Sequence, residues 1–407
     1  MTHPTVALFG RSDGALSVGG IHVRRLTERV GSTPYFAYDR GLISRRIQLL
    51  RAVLPSEVAI SYAVKANPMP AVIQHLAGLV DGFDVASGAE LRAALDTGIS
   101  PQRITFAGPG KTNSELRQGV AAGITHIAES EREAAAVAEA GRQQGVRPTV
   151  ALRVNPDFKV RRAGSSLGGG PQHFGVDAED VPAVLHRLTR MHLDIAGLHI
   201  FNVSQALQAE SLIEVLRRNV DLLLRLAQHV PDPVRFLNIG GGFGIPYFST
   251  DEPLDLVAVA GAIADLVERT IHPNHPEARI VLELGRYLVG ECGVYVTRIV
   301  DRKQSRGRTF LIVDGGMHHQ LAASGGLGQF FRRNFPIVMA ERVDEPSASP
   351  ATVVGALCTP LDVLGEEVPL PDADVGDLIA VFQAGAYGLT ASPAGFLSHP
   401  LPIEILV

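Results

Sequence analysis

Eight short apolar segments, at residues 59–66, 82–87, 104–109, 125–129, 149–155, 195–203, 234–239 and 279–284, alternate with amphipathic stretches rich in alanine and leucine. In residues 114–122, 131–144, 181–190 and 212–229 the apolar positions recur at intervals of three and four, the period of a helix with one buried face. Residues 42–54 carry the same pattern ahead of the first strand. Eight strands alternating with helices predict an α/β fold, a closed parallel (β/α)8 barrel of the TIM type. An open doubly wound sheet is the structural alternative, since counting strands does not establish closure. Lys65, Ser87, Gly108, Glu129, Asn155, Ser204, Gly241 and Arg286 all lie at or just past a strand's C-terminal end. Barrel enzymes build their active sites there, although strand ends need turn residues in any case.

After about residue 290 the pattern changes. Residues 294–300, 309–313, 336–342, 352–357, 378–381 and 403–407 read as strands separated by Gly, Pro and Asp, with no strong helix between them. They predict a C-terminal antiparallel β domain, which the N-terminal strand at 15–23 joins. A chain of 407 residues is long for one core, so the expected division is a barrel over 36–286 and a β domain over 1–35 and 287–407. The formal net charge of −5, without basic clusters, gives no reason to expect nucleic acid or a membrane surface. The first residues lack a signal-peptide pattern, and no apolar run is long enough to span a bilayer. Cys292 and Cys358, the only cysteines, suggest no disulfide framework. These features place the expected protein in the cytoplasm, and no metal is expected.

Lys65 ends the apolar run Ala59-Ile-Ser-Tyr-Ala-Val-Lys65. A lysine there must be hydrated, paired or covalently used, because a lone buried ammonium is expensive. Read alone, it is compatible with a lysine that simply reaches water. Its company narrows the reading. Asn238-Ile-Gly-Gly-Gly-Phe-Gly244 follows an apolar run and exposes backbone amides that can approach a phosphate closely. It does not match the dinucleotide fingerprint GxGxxG. Glu283 and Arg286 end the last barrel strand three residues apart; they form either a surface ion pair or a carboxylate for a ring nitrogen and a donor to phosphate. Gly385-Ala-Tyr387 offers a further phosphate hydroxyl. Together these are the equipment of an enzyme that uses pyridoxal 5'-phosphate.

The chain resembles the fold-type III pyridoxal-phosphate decarboxylases, the family of diaminopimelate, ornithine and biosynthetic arginine decarboxylases. Tyr62-Ala-Val-Lys-Ala-Asn67 is similar to their cofactor-lysine motif, and Phe83-Asp-Val-Ala-Ser-Gly-Ala-Glu90 to the segment that follows. Asn238–Tyr247, Glu283–Arg286, Cys358 and Gly385–Tyr387 resemble the phosphate, pyridine, catalytic-cysteine and phosphate-tyrosine motifs in order. The resemblance implies a homodimer of barrel-plus-β-domain subunits with shared active sites. Lys65 would hold the cofactor covalently, with Asp84 and Arg153 near it and Glu283 at the ring nitrogen. Ser204, Gly241, Gly242, Arg286 and Tyr387 would hold phosphate, and Cys358 would cross the dimer to handle a proton at the substrate carbon.

Two departures bear on the substrate. Relatives place a histidine against the cofactor ring where Gly197-Leu-His-Ile-Phe-Asn-Val-Ser204 has Phe201, which can stack but not titrate. His199 lies two residues earlier, on the same face of a strand as Phe201, and is a candidate substrate residue. In Cys358-Thr-Pro-Leu-Asp362, Thr359 replaces the acid that relatives use for a distal ammonium, although Asp362 could turn inward. The Arg-Pro pair of diaminopimelate enzymes is missing after Asp314-Gly-Gly-Met-His-His-Gln-Leu321. These features are similar to a branch acting on conjugated amino acids, either acyl-carrier-protein-bound aminoacyl groups or citrate-amide siderophore intermediates, and to exosortase-associated members. In that reading the loop 318–333, with Gly325, Gly326, Gly328, Arg332 and Arg333, opens to a larger anionic conjugate. The rivals are a diaminopimelate or basic amino-acid decarboxylase and a catalytically silent regulator of the same fold.

Overall fold

The computed structural model describes residues 3–160, 164–166, 168–231, 233–326 and 333–407. The chain divides into two compact units. One comprises Arg46–Ile245 and Glu252–Tyr287; the other comprises Met1–Arg45, Pro246–Asp251 and Leu288–Val407.

The first unit is the barrel. Strands Val58–Ala63, Gly82–Val85, Ile104–Phe106, Thr125–Ala128, Thr149–Asn155, Asp194–His199, Phe236–Gly241 and Arg279–Leu284 each pair in parallel with the next. The last pairs with the first, so the ring is closed and the open-sheet alternative falls. Helices at Asn113–Ala122, Glu131–Gln144, Val181–Leu188 and Ala209–Ala227 occupy the segments of three-and-four periodicity. Their ends follow local chemistry. Thr112 forms a capping box with Glu115, Ser130 accepts from the Glu133 amide, and Gly123 and Gly145 take the left-handed conformation at the C-termini. Ala59, Ala107, Ile127, Ala151, Ala196, Phe236 and Val281 form one buried cluster. Among the described residues, no helix is long and apolar enough to cross a membrane.

Register then levels the strand ends. Asp84 lies opposite Ala63, Glu283 opposite Ser61, and Gly241 opposite Glu283. His199 lies opposite both Arg153 and Asn238. Residues far apart in sequence thereby reach one end of the barrel.

The second unit is built on Gly293–Ser305, which pairs antiparallel with Arg308–Val313, Leu378–Val381 and Tyr35–Tyr38. Ile337–Met339, Ser349–Val354 and Val363–Leu370 extend the sheet, and Ile403–Leu406 adds in parallel to Tyr35–Tyr38. The N-terminal strand that joins this sheet is thus Tyr35–Tyr38. Residues 15–23 instead give Ala15–Val18 and Ile21–His22, in a small sheet with Gly10–Ser12. The cause is local: Asp13 and Gly14, then Gly19 and Gly20, have positive φ and turn the chain into tight hairpins. Val363–Leu370 escapes a sequence reading because Gly365, Glu366, Glu367 and Pro369 interrupt its apolar alternation.

Candidate active site

Lys65 occupies a single 3-10 turn, Val64–Ala66, immediately after the first barrel strand. Its side chain is 38% exposed, and Nζ lies 3.4 Å from both Asp84 Oδ2 and Glu283 Oε1. The same nitrogen stands 5.6 Å from the centroid of the Phe201 ring, within cation–π range.

The two carboxylates are almost fully buried and do not behave alike. Burial and the neighbouring Glu283 push the Asp84 carboxyl up to about 8, against the pull of Lys65 and the Thr105 hydroxyl, which donates to Oδ1 at 2.9 Å. Burial also works against an ionised Glu283, but Lys65, His199 and Arg153 outweigh it and hold this carboxyl well below its ordinary range. The pair therefore shares its negative charge unequally, with Glu283 keeping it. Burial lowers the pKa of His199 despite Glu283, so its imidazole is neutral. His199 Nε2 lies 3.2 Å from Glu283 Oε2, and Asn238 Nδ2 donates to the same oxygen at 3.3 Å. His199 Nδ1 is buried without a hydrogen-bond partner.

Arg153 donates to Glu129 at 2.7 Å and to the Phe201 carbonyl at 3.3 Å, with its guanidinium 4.6 Å from the Phe174 centroid. Glu129 also accepts the amides of Gly108 and Gly175, each at 2.8 Å. Lys111 Nζ donates to the carbonyls of Gly108 and Ile127 at 2.7 and 3.1 Å, and lies 2.8 Å from Glu133. These residues brace a cavity of about 380 Å³ lined by Lys65, Lys111, Glu115, Arg153, Phe174 and Phe201, with the 107–110 loop. Arg153 was expected near the cofactor from the resemblance, whereas Phe174 and the pairing of Arg153 with Glu129 were not anticipated. The signal for Glu129 was its place at a strand end.

The glycines after Asn238 are required by contact. A Cβ on Gly241 would sit 1.9 Å from the Glu283 carbonyl oxygen, and one on Gly242 would sit 2.4 Å from that of Val203. Gly240 and Gly242 also have positive φ. Ser204 ends the neighbouring Val203–Ser204 strand, and Arg286 opens the helix Arg286–Val289. An amine flanked by carboxylates, an ionised buried glutamate and a side-chain-free backbone turn make a donor set that fits a phosphorylated pyridine aldehyde.

Cys358, Thr359, Asp362 and Tyr387 belong to the β unit. Cys358 is a free, exposed thiol. Thr359 is half-buried, and its carbonyl accepts the Asp362 amide at 3.2 Å. Asp362 is 2% exposed, and its carboxylate accepts the amides of Met317 and Leu357. Tyr387 is half-buried with φ of +52°. Gly328 and Arg332 lie outside the described residues. Arg333 pairs with Asp251 at 3.5 Å and covers the Phe248 ring at 3.6 Å.

Residues 40–290 match the family described as "Pyridoxal-dependent decarboxylase, pyridoxal binding domain". The chain is 37% identical to L-glutamyl-[BtrI acyl-carrier protein] decarboxylase of Niallia circulans, over 94% of this chain and 90% of that protein. It is 31% identical to diaminopimelate decarboxylase of Aquifex aeolicus, over 97% and 91%. The crystal structure of AQ1208 from Aquifex aeolicus superposes with a TM-score of 0.85 at 30% identity, covering 99% of this chain and 93% of that one. The matched segment carries the lysine, the buried glutamate and the glycine turn. The chain belongs to the pyridoxal-dependent decarboxylases, with pyridoxal phosphate as its cofactor.

Proposed function

We propose that the protein removes the α-carboxylate of a conjugated amino acid, one carried on an acyl carrier protein or joined to citrate through an amide. The observation that carries this reading is the charge of the barrel cavity. Its one lining carboxylate among the described residues, Glu115, has both oxygens engaged. One accepts the Gly88 amide at 2.8 Å, the other the Thr112 amide and hydroxyl at 2.9 and 2.8 Å. Asp84 and Glu283 face Lys65, and Glu129 faces Arg153. A distal ammonium entering this cavity finds lysines and an arginine, and the one carboxylate that lines it is already hydrogen-bonded through both oxygens. Thr359, where relatives carry an acid, points the same way, as does the likeness to a glutamyl-carrier decarboxylase.

Bound pyridoxal phosphate supplies an electron sink for the pair left when the carbon–carboxylate bond breaks. In this reading Lys65 would hold the cofactor through its amine, with Asp84, Arg153 and Phe201 beside it. Glu283, kept ionised, is the charge partner of a protonated ring nitrogen, and His199 lies behind it. Ser204, Gly241, Gly242, Arg286 and Tyr387 bind phosphate. Cys358 delivers a proton to the substrate carbon in the neighbouring subunit of a homodimer. Mixing inactive Lys65→Ala and Cys358→Ala proteins tests the shared site: random pairing restores up to about a quarter of wild-type activity. No recovery despite verified subunit exchange removes it.

The 31% identity to a diaminopimelate decarboxylase supports the rival reading. Lysine, ornithine and diaminopimelate are compared with carrier-linked and citryl-linked amino acids under matched conditions. A hydrogen bond to a charged group is worth roughly 1.5–3 kcal/mol, so the free diamino acids, lacking one, fall about tenfold to a hundredfold lower in kcat/KM. A free diamino acid with the highest kcat/KM replaces this reading with its rival.

A further inference from the structure

Asp362 is the most enclosed carboxylate of the segment that follows Cys358. It is 2% exposed. Oδ1 accepts the Met317 amide at 2.6 Å and Oδ2 accepts the Leu357 amide at 2.9 Å. The first is slightly shorter than the usual range for an N–H donor to a carboxylate. Main-chain bonds close the same neck: Gly355 N to the Asp362 carbonyl at 2.9 Å, and Ala356 N to the Gly315 carbonyl at 3.0 Å.

The surrounding backbone is shaped to this carboxylate. A Cβ on Gly316 would lie 2.5 Å from both its oxygens, and one on Gly355 would lie 2.2 Å from Oδ2. Both glycines let main chain approach to a distance that any side chain would forbid. Beyond the neck, Leu357 is the one buried side chain of the loop, while Ala356, Cys358, Pro360 and Leu361 are all exposed. The position of the thiol is therefore set by the neck and by Leu357, whose amide the neck also holds.

We infer that Asp362 is a positioning residue for Cys358, its carboxylate stapling the 355–362 loop to the Gly315-Gly316-Met317 turn. The inference rests on the reading in which Cys358 acts at the reacting carbon. It assigns Asp362 a role other than the substrate contact considered from the sequence. Each carboxylate oxygen already holds a backbone amide, and turning toward a ligand would strand both buried donors. The staple acts through the main chain of Leu357, the residue before the cysteine.

A double-mutant cycle in the holoenzyme tests this. Asp362→Asn keeps the shape but turns its side-chain amide NH2, a donor, toward one of the two backbone N–H donors, so one bond is lost. The expected result is a fall in kcat of about tenfold with KM and cofactor absorbance held, and no further fall when Asp362→Asn is added to Cys358→Ala. Gly355→Ala, which drives a methyl into the carboxylate without removing its charge, reproduces the Asp362→Asn effect. An independent readout is the alkylation rate of Cys358 by iodoacetamide, followed by mass spectrometry against buried Cys292 as internal reference. It changes about threefold or more in either variant. An unchanged alkylation rate overturns the inference. So does a loss in the Cys358→Ala background equal to that in wild type. If Cys358→Ala itself keeps full activity, the catalytic reading of the thiol fails, and the alkylation rates still decide whether Asp362 fixes it.

Discussion

His199 Nε2 sits 3.2 Å from Glu283 Oε2, with both side chains 1–2% exposed. The two lie 84 residues apart in sequence, on barrel strands separated by one other. Because His199 is neutral, it serves Glu283 as a hydrogen-bond donor rather than as a second charge. Removing the donor leaves a buried anion short of a partner, at a cost of roughly 1.5–3 kcal/mol. His199→Phe should lower kcat about tenfold to a hundredfold and shift the pH titration of the bound cofactor's absorbance. His199→Gln should recover part of both. An unchanged titration in His199→Phe would show that the contact does not tune the site.

Lys65 should carry the cofactor. The purified protein should be yellow, and borohydride reduction should fix a pyridoxyl group to the peptide containing Lys65. Lys65→Ala should lose the label and at least about a hundredfold in turnover. A label mapped to Lys111 or another lysine would refute the assignment.

Glu129 should matter for stability as well as for the site. Burial alone would raise its pKa, but Arg153 outweighs this and holds it below the ordinary 4.5. A carboxyl with a lowered folded-state pKa contributes its full stability above about 4.5 and loses it as pH falls through the lowered value. Glu129→Gln leaves the Arg153 guanidinium buried beside a neutral group, at a cost of about 3 kcal/mol. Urea unfolding near neutral pH should show that loss, and the variant should respond less steeply to acid below about pH 4.5.

His126 gives an opposite test. It is fully buried on a barrel strand, neither ring nitrogen has a hydrogen-bond partner, and burial, helped by Lys111, brings its pKa down to about 3. Its contribution is complete above the ordinary 6.5 and is lost as pH falls toward about 3. His126→Leu removes two unsatisfied polar atoms, so it should be near neutral at pH 7. At about pH 5 it should be more stable than wild type by about 2 kcal/mol, relative to pH 7. Parallel melting curves at the two pH values check this, and identical pH dependence in both proteins would disprove it.

Much of the barrel is a local property of the chain. Each strand is a short apolar run and each helix a three-and-four repeat with its own caps, so both are written where they form. Lys65 and the glycine turn were legible for the same reason: their neighbours in sequence are their neighbours in space. Tyr35–Tyr38 was not, because four residues carry too little periodicity, and only pairing with Gly293–Ser305 and Ile403–Leu406 makes them a strand. Closure and register were decided by the tertiary structure alone. They set Glu283 against Lys65 across 218 residues and His199 against Glu283, and no local pattern encodes which strands meet or at what height. The fate of Asp362 was decided the same way. Its residue type and spacing are equally compatible with a ligand contact and a backbone staple, and what distinguishes them is the approach of Met317, from 45 residues earlier, to within a hydrogen bond of the carboxylate.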